Sequence, residues 1–402
     1  MLASFDQAKL DHFGFTPHRG DAYRTVLPPA AFGDAAAEIR AWQGYAATPL
    51  LHLNGLAASL GLGGVLYKDE GPRFGLGSFK ALGGAYAALR VLQHEIGKAL
   101  AAKGRTSAVT LRDIREGCFA EEAALITLVS ATDGNHGRSL AWGCQRFGAP
   151  CRIYIHAEVS EGRAAAMRDL GAHVVRIDGD YDDSVRLARE EAEANGWFVV
   201  SDTSWEGYSE PPRDVMAGYG VLVGEITEAL DRAPSHVFLQ GGVGGMAAAI
   251  CAAFRQHWGD ASPRVVIVEP DRAACLFESA KADEATAVQI QEETVMAGLS
   301  CGEPSGMAWA ILREEAEDFV TIPDAVVAPT LRLLASPGAG DPVIEAGESA
   351  VAGLAAAIMA ARSRSLREAL KLDNESVVMV IGSEGITDAA VHAEMMQALE
   401  HA

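Results

Sequence analysis

The sequence predicts an α/β protein of two domains, each built on a mostly parallel sheet flanked by helices, and three observations carry this expectation. At 402 residues the chain exceeds one ordinary core of about 100–200 residues and suits two. Short β-branched runs alternate with Ala-rich stretches of helical length, which is how βαβ units read in sequence. Three glycine-bearing segments follow apolar runs or open helices, where such folds leave backbone amides able to hold an anion.

Along the chain the candidate strands are 125–130, 152–156, 173–177, 198–200, 237–239, 264–268 and 376–381. Between them, 137–147 carries its apolar residues on one helical face, and 161–170 ends at Gly171, a residue suited to a helix stop. Residues 151–178 read strand, helix, strand and belong to one compact subdomain, while a second sheet starts at His236. The charged stretch 103–122 reads as a surface helix or an insertion. The Ala runs at 35–37 and 355–357 are ordinary helix-former usage.

Apolar residues make up 49% of the chain and charged residues 22%, the balance of a folded globular protein. Its 33 Lys and Arg against 54 Asp and Glu leave a net charge of −21, which repels a polyphosphate and makes nucleic acid an unexpected partner. There is no apolar run of about eighteen residues. The start, Met1 to Phe15, lacks the basic-then-apolar order of a signal peptide. The expectation is a cytoplasmic protein with no membrane attachment. Six cysteines lie scattered without C-x-x-C spacing, against a zinc site and against a disulfide framework, with a Cys275–Cys301 pairing left open; no residue is assigned to a metal.

The first chemical segment runs from Tyr67 through Lys68-Asp69-Glu70-Gly71-Pro72-Arg73 to Ser78-Phe79-Lys80 and straight into a helix. A lysine that forms an imine must come off a rigid element and sit in a pocket that favours its neutral form; a lone lysine there also reads as a surface charge. The second segment, Ser130 to Gly137, contains Asp133, Asn135 and His136 at the start of a helix. It can set an amide against a planar ring and a carboxylate near a substrate, or serve only as a helix cap. In the third, Gly241, Gly242, Val243, Gly244 and Gly245 follow an apolar strand and precede an Ala-rich helix, so the backbone can wrap one phosphate closely. The alternative is a tight turn that serves helix–strand packing. The pattern is neither G-x-G-x-x-G nor a Walker loop, which suits a phosphate monoester better than a dinucleotide.

Taken together and in this order, the S-F-K lysine, the D-G-N-H-G turn and the G-G-V-G-G loop resemble fold-type II pyridoxal-phosphate (PLP) enzymes, the tryptophan synthase β-like family. Longer wordings narrow the likeness: D-E-G-P-R-F-G-L-G-S-F-K-A-L-G-G-A-Y (69–86), A-T-D-G-N-H-G-R (131–138), S-D-T-S-W-E-G-Y (201–208), M-A-G-L-S-C-G-E-P (296–304), D-P-V-I-E-A-G-E-S (341–349) and S-E-G-I-T-D (383–388). These are similar to the diaminopropionate ammonia-lyase family from about Phe32 onward. Two departures are a longer stretch around 100–122 and Gly77-Ser78 before the lysine, which is closer to dehydratase wording.

The resemblance implies PLP held on Lys80 as a Schiff base, with Phe79 beside it, Asn135 facing the phenolic oxygen, the 241–245 loop on the phosphate and Ser383 at the pyridine nitrogen. Glu348 lines the cofactor ring, or is a surface or helix-start carboxylate. It also implies α,β-elimination of D- and L-2,3-diaminopropionate to pyruvate and two ammonia. Lys80 and Asp133 are then the proton acceptors on the two faces, with Asp133 and Asp202 the candidates for binding the leaving amine. Asp202 alone also reads as a helix cap before Thr203. His136 reads as a support for its turn, and 296–304 as a wall over the site or a packed loop. The implied architecture is a large PLP-binding domain from 1–89 and 206–402 and a small domain from 90–205, with the cofactor in the cleft and a homodimer as the assembly. Rivals are a serine or threonine dehydratase, a lyase for another β-substituted amino acid, and a catalytically silent protein that only binds an amino acid or PLP.

Overall fold

The computed structural model describes residues 2–105, 108–132, 134–338 and 340–398. They fall into two compact units, the first made of 1–29, 46–79 and 222–402 and the second of 30–45 and 80–221. The described strands are β1 (Asp11–Gly14), β2 (Leu50–His52), β3 (Gly64–Asp69), β4 (Leu128–Ala131), β5 (Cys151–Ile155), β6 (His173–Arg176), β7 (Phe198–Val199), β8 (His236–Gln240), β9 (Arg264–Pro270), β10 (Asp318–Ile322) and β11 (Val377–Gly382).

In the first unit the sheet order is β1-β10-β9-β8-β11-β3-β2. The interior pairings are parallel and the two edge strands antiparallel. Every residue of β8 and β10 is buried; β8 carries the continuous apolar run 237–239 rather than an alternation, whereas β10 holds Asp318 and Thr321 and is not among the strands read from the sequence. Phe238, Val266, Val268, Val378 and Val380 share one core with the Ala-rich helix Ala352–Arg362. This sheet takes β1, β2 and β3 from the N-terminal part as well as the strands after His236. Those strands escape a reading by β-branched runs: β1 and β2 are 4- and 3-residue edges, and β3 carries Lys68 and Asp69 within its span.

The second unit holds the parallel sheet β6-β5-β4-β7. Its β4 begins at Leu128 rather than at 125, because Leu125 is 85% exposed just past the short helix Ala120–Ala123. The charged stretch around 103–122 resolves into that helix and Leu111–Arg115, the latter closed by a Thr110–Asp113 capping box. Helix Lys80–Ala102 packs on helix Asn135–Phe147 at close range. A Cβ on Gly84 would stand 2.7 Å from Ser139 Oγ, and one on Gly143 2.7 Å from Ala85 Cα. Ser139 Oγ also accepts the Ala85 N–H at 3.0 Å, so the two helix starts that bear Lys80 and Asn135 are fixed to each other.

Among the described residues no helix is long and apolar enough to cross a membrane. All six cysteines are present as thiols, Cys275 and Cys301 included.

Candidate active site

Lys80 is the first residue of helix Lys80–Ala102. The turn before it is tied into the first unit: Phe79 N–H donates to Ser383 C=O at 3.0 Å, Gly385 N–H donates to Gly77 C=O at 2.9 Å, and Ser78 bridges to Glu384. A lysine on a helix start, preceded by a pinned turn, has little backbone freedom.

In the second unit Lys80 Nζ donates to Asp202 Oδ2 at 2.7 Å, with the side chains 22% and 16% exposed. Burial opposes ionisation of Asp202, but the Lys80 ammonium outweighs it and holds the carboxyl well below the usual carboxylate range. Asp202 does not cap a helix, since 203–206 form a loop. His136 is buried, and its Nε2 bonds to Val200 C=O at 2.8 Å. A carbonyl only accepts, so the proton is on Nε2 and Nδ1 carries a lone pair. Nδ1 has no hydrogen-bond partner among the described residues and stands 3.9 Å from Asp202 Oδ2. Burial pushes the imidazole pKa down against the pull of Asp202, which keeps the ring neutral. His136 thus supports the turn, as its place in the sequence suggests. Asn135 opens its helix. Asp133 lies outside the described residues.

The first unit holds the other candidates. Gly241 to Gly245 connect β8 to helix Gly245–Trp258. Gly242 and Gly244 take φ of 62° and 91°, a left-handed conformation that L side chains rarely adopt. Gly241 N–H donates to Val268 C=O, Gly244 N–H to Gly241 C=O, and Ser305 N–H to Val243 C=O, so the loop is fixed from within. On its inner side a Cβ at Gly241 would meet Glu269 Cγ at 2.6 Å. Segment 296–304 packs against this loop, with Gly298 C=O 3.4 Å from where a Gly242 Cβ would stand. Ser383 directly follows β11 and is buried. Glu348 is 2% exposed, which removes its reading as a surface carboxylate; its neighbour Ser349 is bonded to Gly298 N–H and to Glu384.

Three further groups are not evident from sequence reasoning. Lys68, Glu70, Arg73 and Glu225, all buried, form one charged cluster with Thr48. In it Lys68 Nζ donates to Glu225 at 2.6 Å, and Arg73 binds both Glu70 and Glu225 at 2.7–2.8 Å. The signal available was the dense D-E-G-P-R wording seven residues before Lys80. Glu269, behind the glycine loop, is fully buried; its carboxylate accepts Leu276 and Phe277 N–H, yet burial pushes its pKa up to about 8. Tyr208 is the third, and holds the backbone just before Asp202.

Taken unit by unit, these donors suit the separate groups of a phosphorylated pyridine aldehyde. The glycine loop sets positive-φ glycines at the N-terminus of a 14-residue helix, whose first-turn amides and dipole suit a dianion. Gln240 Oε1 at the loop's entrance is buried without a partner among the described residues, a polar atom open to a ligand or water. Ser383 offers a neutral hydroxyl, and Lys80 an amine beside a carboxylate. Among the described residues no cluster of His, Cys, Asp or Glu could hold a metal.

Residues 41–383 match the family described as pyridoxal-phosphate dependent enzyme. The chain is 38% identical over 366 residues to the diaminopropionate ammonia-lyase of Escherichia coli K12, covering 89% of each chain. It is similar to the crystal structure of diaminopropionate ammonia-lyase from Escherichia coli in complex with an aminoacrylate–PLP azomethine reaction intermediate. That likeness has a TM-score of 0.84 at 35% identity, with coverage of 98% of this chain and 99% of the other. A threonine deaminase isoform from Solanum lycopersicum shares the fold, with a TM-score of 0.70 at 20% identity over 96% of each chain.

Proposed function

Because the chain belongs to the pyridoxal-phosphate-dependent enzymes and has their fold-type II architecture, we propose that it is an ammonia-lyase eliminating the β-amine of D- and L-2,3-diaminopropionate to give pyruvate and two ammonia. The observation that carries the reading is the lysine at a helix start held 2.7 Å from a half-buried carboxylate, in the S-F-K wording of the family's cofactor lysine.

Lys80 would hold PLP covalently, with Phe79 and Asn135 at the ring, the 241–245 loop on the phosphate, Glu348 along the ring and Ser383 at the pyridine nitrogen. When bound, PLP supplies an electron sink for the charge left by loss of the α-proton. A neutral Ser383 hydroxyl does not enforce a pyridinium, which gives a mild sink suited to a substrate whose own β-group departs. Lys80 Nζ would accept the α-proton, and Asp202 Oδ2, 2.7 Å from it, would pair with the ammonium that forms. For the opposite enantiomer the acceptor is Asp133. The β-amine leaves as neutral ammonia from its ammonium form, so a carboxylate near it, Asp133 or Asp202, binds it before it departs. The released unsaturated amine takes up one water and loses the second ammonia.

The same reading carries a large PLP-binding domain and a small domain, a homodimer, a cytoplasmic location, and a small amino acid as partner with neither nucleic acid nor membrane.

The test is absorbance of the purified protein, followed by separate addition of both diaminopropionate enantiomers, L-serine and L-threonine with assays for pyruvate, 2-oxobutyrate and ammonia. A visible band lost in Lys80→Ala, with pyruvate from both diaminopropionate enantiomers, is the expected result. Turnover of serine or threonine alone would replace the substrate, and no band after PLP addition would remove the cofactor lysine.

A further inference from the structure

The segment 201–208 contributes more than Asp202. Trp205 N–H donates to Tyr208 C=O at 3.2 Å and Tyr208 N–H to Trp205 C=O at 2.9 Å, closing a tight hairpin in which Gly207 takes a φ of 79°. The hairpin lays the two rings together, 3.9 Å between centroids and 10° between planes. Arg189, from helix Tyr181–Asn195, covers the Trp205 ring at 4.3 Å. Tyr208 is thereby held as a rigid plate, stacked on one ring that is itself capped by a cation.

Its hydroxyl does two things at once. It accepts the Ser201 N–H at 3.0 Å and donates to Val199 C=O at 2.9 Å. Between those residues, Val200 C=O takes the His136 Nε2–H at 2.8 Å. Three consecutive residues are fastened by two side chains, and the next residue is Asp202. Val200 N–H still bonds to Val129 C=O; past it the chain leaves its sheet, so these bonds take over from the ladder that fixes β7.

We propose that Tyr208, seated by the Trp205 hairpin and assisted by His136, is a positioning residue that sets where the Asp202 carboxylate stands relative to Lys80. The inference rests on the reading of Lys80 as the cofactor lysine. Coulomb attraction between Asp202 and Lys80 falls with distance. A displacement of about 1 Å at a reacting group can cost ~10²-fold in rate, so a loop-borne carboxylate needs such a clamp. Among the described residues, the titratable groups facing Asp202 are Lys80, His136 and Tyr208, and Tyr219 also faces both Lys80 and Asp202.

Tyr208→Phe removes the hydroxyl and keeps the ring stack. The readout is the pH midpoint of the holoenzyme's visible band, which follows the proton on the Lys80 nitrogen and is therefore sensitive to the nearby carboxylate. In Tyr208→Phe the midpoint moves in the same direction as in Asp202→Asn, and kcat for diaminopropionate falls about tenfold with KM changed by less than about twofold. Adding Tyr208→Phe to Asp202→Asn moves the midpoint no further, because the hydroxyl acts through the carboxylate. Trp205→Ala, which leaves the hydroxyl but removes its seat, shifts the midpoint the same way and stands in should Tyr208→Phe fail to fold. A midpoint unchanged in both variants, with only Tm lowered, would overturn the proposal, as would additive shifts in the double variant. Absence of the band in the unaltered protein overturns the cofactor reading itself, and so is told apart from a failure of positioning.

Discussion

Lys80 Nζ and Asp202 Oδ2 meet at 2.7 Å although 122 residues separate them in sequence. Both side chains are mostly withdrawn from water, so the pair is screened less than an exposed one and the Lys80 ammonium keeps the Asp202 carboxyl ionised. Asp202→Asn keeps the shape and removes the charge. It should lower kcat on diaminopropionate by about 10²-fold, the lower range for a group engaged in proton transfer. Steady-state kinetics on both enantiomers check this, and a loss confined to KM would assign Asp202 to binding alone.

Asp133→Asn discriminates between the two faces of the substrate. If Asp133 is the acceptor on the face opposite Lys80, turnover of one diaminopropionate enantiomer falls far more than that of the other. Equal losses on both enantiomers count against that role.

Gly244 has a φ of 91°, and a Cβ there would lie 3.0 Å from Ala308 Cβ. Gly244→Ala is accordingly strained in backbone and in space. The loop's fit to a phosphate should suffer before the fold does. Dialysis against cofactor-free buffer is expected to strip PLP from this variant faster than from the parent, while far-ultraviolet circular dichroism is unchanged.

Glu225 neutralises two buried cations, Lys68 at 2.6 Å and Arg73 through both carboxylate oxygens. Glu225→Ala leaves Lys68 and Arg73 with Glu70 as the one remaining carboxylate of the cluster and should destabilise the protein by about 3–5 kcal/mol in chemical denaturation. Burial opposes ionisation of Glu225, but its bonds to Arg73 and the nearby Lys68 win and hold the carboxyl down to about 2. A depressed carboxyl stabilises the fold above its ordinary pKa of 4.5 and loses that contribution as pH falls toward about 2.

Glu269 runs the other way. Burial raises its pKa to about 8 from an ordinary 4.5, so the folded state keeps a proton that the unfolded chain releases. Its contribution is fully present below pH 4.5 and declines as pH rises to about 8. Glu269→Gln cannot titrate, and the slope of Tm across this window should flatten in that variant. An unchanged slope would mean that Glu269 is ionised in the folded protein at neutral pH.

Much of the candidate site is legible in the chain because it is local. Lys80 at a helix start, the Asn135 turn and the glycines at 241–245 are each encoded by adjacent residues whose backbone preferences act over a few positions, and β8, β9 and β11 announce themselves as buried apolar runs. Fold class follows from that alternation. Asp202 reads from sequence as a cap or a binding group, and Glu348 as a ring contact or a surface carboxylate. Neither reading names the partner.

Tertiary structure alone decided the partnerships. It set Asp202 on Lys80, put Tyr208 at the backbone before Asp202, buried Glu348 and Glu269, and gathered Lys68, Glu70, Arg73 and Glu225 into one cluster where their charges suggest a solvated surface. It also assigned 30–45 to the unit of 80–221. The physical reason is that a charge is stable in a core only when its counter-charge is already there, and the counter-charge comes from another part of the chain. Backbone propensity is a property of neighbours in sequence, whereas the ionisation and burial of a side chain belong to its neighbours in space.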